Sequence, residues 1–315
     1  MKKRLLSFLM IAVMLLALTG CGGAFPHVED TFANGVQYGN TLAAEQGEYL
    51  AMRGGKDDQP MVFLYHKPTG ESYEIAEGEV YQIALLDNTV FYKTLNDECL
   101  YAYDLTAKDP EEALTVLLDY ALNYQVRDGV VYYLDDEHGT YLKTYDLATG
   151  IQGQLNTGYT VDAFWLTDYG MYYCDDNKGA LMVLPWGADV DRIVAIQEET
   201  IYRDVYAVQG ADILYLKVDD NTADATICQY KASQNKSTEY LTGTFDNFQY
   251  ANGQAITVQN DELLAVNITE GQTYTWGTID TEYDYLQIMS DCLIFYSDDD
   301  NALKATIQYY PESKE

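Results

Sequence analysis

Two sets of polar residues recur along this chain at a spacing that could do chemistry. The first is a series of acidic clusters: Asp57-Asp58, Asn96-Asp97-Glu98, Asp135-Asp136-Glu137, Asp175-Asp176-Asn177, Asp219-Asp220-Asn221, Asn260-Asp261-Glu262 and Asp298 to Asn301. Carboxylates offered in pairs suit a hard cation such as calcium, which takes about six to eight oxygen ligands. The candidates for it are Asp135, Asp136, Asp175, Asp176, Asp298 and Asp299, although no cluster has the EF-hand spacing. The second set is Gln82, Asn123, Asp162, Asp204, Asn247 and Asp284, about forty residues apart, with Tyr124, Trp165, Tyr206, Phe248 and Tyr285 close in sequence. Amides and carboxylates mixed with aromatic rings suit a sugar, a peptide or a cation. Asp162 and Asp204 would make an acid/base pair for glycoside hydrolysis if held roughly 5–9.5 Å apart with separated pKa values.

Both sets also have a structural reading. Asp and Asn favour tight hairpins because they tolerate left-handed backbone and bond their own chain. Polar side chains at the end of an inner strand can instead satisfy backbone groups of a neighbouring strand. Other chemistry finds little support. His27, His66 and His138 have no partners in sequence, so a histidine-rich zinc site is not expected. Cys99, Cys174, Cys228 and Cys292 lie far apart with no CxxC spacing, and read as buried thiols. The sequence has no G-x-S-x-G elbow, P-loop, HExxH or dinucleotide-binding glycine pattern, which favours a binding or scaffold module over an enzyme.

The elements that position these residues are short. No long stretch carries an apolar period of 3.6, whereas alternating runs rich in Tyr, Val, Ile and Leu recur throughout. They assemble into a repeated unit: an entry strand, a turn, a strand such as "VVYYL", an acidic turn, a strand such as "TYLKTYDL", a Gly turn and a final strand. The turns before the second strand fall at Gly47, Asn88, Gly129, Gly170, Gly210, Gly253 and Asp291. Third-strand copies read "VFLYHKPTG", "LYAYDLT", "YLKTYDLATG" and "LLAVNITEG". A period near 40 with four strands per unit predicts an all-β, seven-bladed propeller of four-stranded antiparallel blades. The pattern resembles bacterial lipoproteins that carry seven-bladed propellers of the YWTD-like or TolB-like kind. In such a ring the first strand of each blade lies next to the axis, which would gather the second polar set around an axial funnel. The acidic turns would then sit on separate blades, away from the axis. The seventh unit lacks a fourth strand, and the segment from about Pro26 to Asn34 is expected to supply it and close the ring.

The two ends and the charge bound the setting. Lys2, Lys3 and Arg4 precede an apolar run from Leu5 to Leu18 that is too short to span a bilayer and suits a secretory signal. It ends in Leu18-Thr19-Gly20-Cys21, which resembles the bacterial lipobox. The resemblance implies cleavage before Cys21, a lipid on its thiol and an extracytoplasmic protein anchored to a bacterial membrane. The expected division is residues 1–20 signal peptide, 21–30 lipidated cysteine and tether, and 31–315 one propeller domain. Without the signal, fifteen basic residues face 50 acidic ones, a net charge near −35. Such a chain repels nucleic acid and anionic lipid and favours cations or basic proteins. No cofactor is expected beyond calcium, and a protein, peptide or glycan of the envelope is the expected partner.

Overall fold

The computed structural model describes residues 41–310 apart from 57–58, 95–96, 136–140, 156–159, 176–179, 189–190, 197–199, 220, 246 and 300–301. These residues form antiparallel sheets in chain order, six of four strands and one of three, with a single short helix, Pro110–Ala113. Within each sheet every strand pairs with the next in sequence, so each repeat unit folds as one meander. The seven turns expected before the second strands all fall at or beside such hairpins.

Turn chemistry explains why. Asp87-Asn88, Asp128-Gly129, Asn252-Gly253 and Asn260-Asp261 each have positive φ at both central positions (50° and 61°, 50° and 72°, 51° and 77°, 51° and 61°). That is the primed hairpin turn, whose twist matches the strands it joins and which Asn, Asp and Gly tolerate best. Between third and fourth strands, Gly150 and Gly271 (φ 68° at each) donate to Asp146 O and Asn267 O at 2.8 Å. Asp146 and Asn267 in turn accept from Thr149 N at 2.8 Å and Thr269 N at 3.0 Å.

Packing is between sheets rather than within one core. Each of seven buried clusters joins two successive blades. A blade's middle strands are therefore apolar on both faces: Gly170–Asp175, "GMYYCD", is buried at every position. Outer strands such as Gln152–Gln154 are exposed at every position. The first strands of blades 1 to 5 touch in succession, which puts them at the axis. The molecule is a seven-bladed β-propeller.

Blade 7 meets blade 1 through the last of the clusters, where Leu42, Leu50 and Met52 pack on Met289, Ile294 and Tyr296. Tyr296 Oη donates to Leu42 O at 3.0 Å, and Leu42 N donates to Gln287 Oε1 at 3.3 Å. Glu45 accepts from Ser290 N (2.6 Å) and Ser290 Oγ (2.8 Å), while Lys67 bridges Glu45 at 3.3 Å and Asp291 at 3.0 Å. The closing strand expected from Pro26 to Asn34 lies outside the described residues, as does Cys21.

Candidate functional site at the axial mouth

The first strands run Ala43–Gln46, Val80–Leu86, Asn123–Arg127, Val161–Leu166, Thr200–Gln209, Gln249–Ala251 and Tyr285–Ile288. Four residues of the expected axial set, Asp162, Asp204, Asn247 and Asp284, line one cavity of about 820 Å3. Thr41, Arg203, Tyr283, Tyr285 and Gln287 line it with them. Asp162 and Asp284 are exposed and Asn247 is half-buried, whereas Asp204 is 2% exposed. Tyr285 keeps 57% of its surface in water, the highest value among the large aromatic residues of the described chain.

The backbone sets these positions. The pairing register of the first strand shifts between Tyr81 and Ala84, between Val161 and Ala163, and between Arg203 and Tyr206. Gln82, Asp162 and Asp204 sit in those three bulges, which re-aim a side chain at the cost of a ladder bond. Gln82 (φ 51°) and Asp204 (φ 47°) are held in the left-handed region, an unfavourable conformation for residues with a Cβ that gathers at functional sites. The hairpin of blade 4 pairs Leu166 with Met171, two residues further apart than Leu86 and Thr89 in blade 2, which is why Asp162 stands eight residues before its aligned turn instead of six.

The other two members of the set are placed differently. Gln82 (9% exposed) and Asn123 (7%) are buried and do not line the cavity. Beside them in sequence, Tyr124 Oη donates to Gln82 O, and Lys93 Nζ donates to Leu122 O at 3.1 Å while lying 4.8 Å from the centre of the Tyr81 ring. Burial pulls the Lys93 ammonium down to about 8, against a smaller upward effect of Glu98. Gln82 Oε1 is buried with no hydrogen-bond partner among the described residues, and the side chains that bond neighbouring backbone on this side are those of Tyr124 and Lys93. The same device recurs round the axis. Gln125 Nε2 donates to Phe164 O (2.6 Å), its Oε1 accepts from Leu166 N (2.9 Å), and Tyr206 Oη donates to Phe248 O (2.8 Å). Each clamp ties one blade to the next.

The acidic turns divide as well. Asp97 accepts from Thr94, from Cys99 N (3.1 Å) and from Tyr101 Oη (2.6 Å), and the Thr94 hydroxyl contributes most to holding its carboxyl below the usual range. Asp219 accepts from Asn221 N at 2.8 Å. Asp135 pairs with Lys143, and Asp175, 1% exposed, ends a buried strand. Asp298 and Asp299 end the strand Cys292–Asp299, while Asp136 and Asp176 lie outside the described residues. Among the described residues no three His, Cys, Asp or Glu side chains gather as a metal site. The turn of blade 6 departs from expectation: Asn260 and Asp261 line the axial cavity, so one acidic turn does reach the axis. Thr41 was also open to sequence reasoning, since it stands six residues before Gly47.

With the mouth in view, comparison with known proteins supplies the fold and little more. No protein-family model matches the sequence, and no curated protein matches it. Among solved structures, an oligogalacturonate lyase in complex with manganese superposes with a TM-score of 0.60 at 15% identity, over 84% of this chain and 87% of that one. The oligogalacturonate lyase of Vibrio parahaemolyticus gives 0.59 at 13% identity, over 90% and 93%. A puromycin hydrolase gives 0.58 at 10%, and there the match spans 85% of this chain and 50% of the hydrolase. At such identities the likeness is one of fold.

Proposed function

We propose that this protein is a non-enzymatic binding or scaffold module that takes a segment of a protein, a peptide or a glycan in the axial mouth of its ring. The observation that supports this reading is the cavity itself: polar residues from the inner ends of blades 4 to 7 converge there beside an exposed tyrosine. Its volume lies in the range of ligand pockets, and its walls stand on strands clamped to one another. The substrate and the metal named for the lyase neighbours do not fit this cavity. Oligogalacturonate is a chain of carboxylate sugars, and a cavity with Asp162, Asp204, Asp261 and Asp284 against Arg203 has the wrong sign for it. Nor do the described residues fit a manganese centre, since the aspartates come from four different blades and gather in no group of three. Asp97, Asp135 and Asp219 are engaged within their own hairpins, which favours a structural role over calcium binding for those turns.

The proposal includes the setting. The signal-like segment and Cys21 support an extracytoplasmic protein held to a bacterial membrane by a lipid on that cysteine, with residues 31–315 as one domain. Cys21→Ala should abolish labelling by radioactive fatty acid; continued labelling would overturn this part. The binding reading is tested by melting the protein with a panel of glycans, peptides and calcium, alongside the double variant Asp162→Asn/Asp284→Asn. A ligand that raises Tm in the parent but not in the variant is the expected result. A shift that survives in the variant, or that needs only calcium, would contradict a ligand site at the mouth.

A further inference from the structure

The mouth carries more information than its position. Among the described residues, its charged side chains are four aspartates from blades 4, 5, 6 and 7 and one arginine, Arg203. They stand in a concave cavity of about 820 Å3, and low-dielectric walls around charges of one sign focus the field. The chain's own formal charge of −32 adds to that field. A single metal ion would need its oxygens gathered within coordination distance, and among the described residues they are not. Spread carboxylates match charges that are themselves spread along a chain. Asp162, Asp261 and Asp284 are exposed residues of the cavity lining. Beside them the Tyr285 ring, 57% exposed, offers the negative face that attracts an ammonium or guanidinium group. Ile201, 38% exposed, and the half-buried Leu286 line the same cavity and suit the methylenes that join such groups.

We infer that the ligand of this mouth is an organic polycation, a flexible chain bearing two or more ammonium or guanidinium groups, seated between Asp162, Asp261 and Asp284 with Tyr285 against one cationic group. The inference rests on the reading of the mouth as a binding site and adds the chemistry of what binds. A lysine-rich peptide and a free polyamine share that chemistry.

The test uses the chain from residue 21 onward, with fluorescently labelled, amidated tetralysine as probe and spermine as competitor. Tetraglutamate and a neutral oligosaccharide are the controls. Binding of tetralysine, spermine or both should weaken several-fold between about 20 and about 150 mM salt, because exposed ion pairs are screened over that range. Asp162→Asn/Asp284→Asn should weaken it by about tenfold, as for loss of roughly 1.4 kcal/mol. Glu77→Gln/Glu112→Gln makes the same change in net charge on exposed positions outside the cavity lining and should leave the affinity within about twofold, the difference expected of screened surface charge. Whichever cation binds more tightly identifies the source. Equal weakening in both double variants would show general surface attraction and overturn the inference. If the neutral oligosaccharide alone bound, and bound only with Asp162 and Asp284 intact, the polycation would be wrong while the mouth stood as a site. Failure of every probe would remove both. Should the aspartate double variant not fold, Tyr285→Ala gives the same comparison, with a several-fold loss expected and no loss contradicting the inference.

Discussion

Lys93 is the most unusual charge in the ring, and its replacement by methionine gives a sharp test of how the inner strands are held. The side chain is 1% exposed, and its ammonium has one carbonyl partner, Leu122 O, and one ring, Tyr81. Burial moves its pKa from 10.5 to about 8. Between those values the unfolded chain binds the proton more strongly than the folded one, so stability rises with pH across that window; below pH 8 the full cost is present. At pH 7 that cost is about 3 kcal/mol, and by about pH 9.5 it falls to about 1 kcal/mol. Methionine keeps most of the volume and removes the charge, but orphans Leu122 O at about 1 kcal/mol. Lys93→Met should therefore stabilise the protein near neutrality, and its advantage over the parent should shrink by about 2 kcal/mol by about pH 9.5. Urea unfolding of both proteins across that range reads the difference directly. Ionisation of the 30 tyrosines affects both proteins alike and cancels. A difference that does not change with pH would refute the account of a desolvated ammonium at this position.

Four other perturbations probe the frame. Gln125→Leu leaves Phe164 O and Leu166 N without their partners and should cost about 2–4 kcal/mol in urea unfolding. Glu45→Ala opens the junction of blades 1 and 7 and should cost about 1–3 kcal/mol, against less than about 0.5 for Glu48→Ala on the surface. Gly170→Ala places a Cβ 2.4 Å from Leu184 O, a backbone atom with no room to give, and should lower stability by about 2 kcal/mol or more in thermal melts. Asp97 has a depressed carboxyl, so its contribution is present above the usual carboxylate range and lost as pH falls through its folded value; the parent's advantage over Asp97→Asn should disappear on acidification below about pH 4.

The frame was legible because the hairpins repeat their chemistry. Asp128-Gly129 and Asn252-Gly253 announce primed turns that only a few residue types tolerate, and a period of forty then fixes the blade count. The mouth was legible only in part. Counting back from each turn finds Asn247 and Asp204, but the hairpin of blade 4 carries two more residues between Leu166 and Met171 than that of blade 2 between Leu86 and Thr89, which is why Asp162 stands out of step. The same count assigns Gln82 and Asn123 to the funnel, and it cannot show that they are buried instead. Nor could strand alternation show that Asn260 and Asp261 lean in to the axis, or that Gln125 reaches a neighbouring blade about forty residues on. Those placements depend on contacts between blades, and each blade's sequence describes only itself.

The central claim is that the ligand site is the axial mouth and not the outer surface of the blades. Hydroxyl-radical footprinting with mass spectrometry tests it on the intact protein, since Tyr285 and Tyr274 are both exposed, at 57% and 41%, and only Tyr285 lines the cavity. With a saturating ligand, oxidation of Tyr285 should fall by about the fraction bound while that of Tyr274 stays unchanged. Protection of Tyr274 with Tyr285 still open to oxidation would contradict the account.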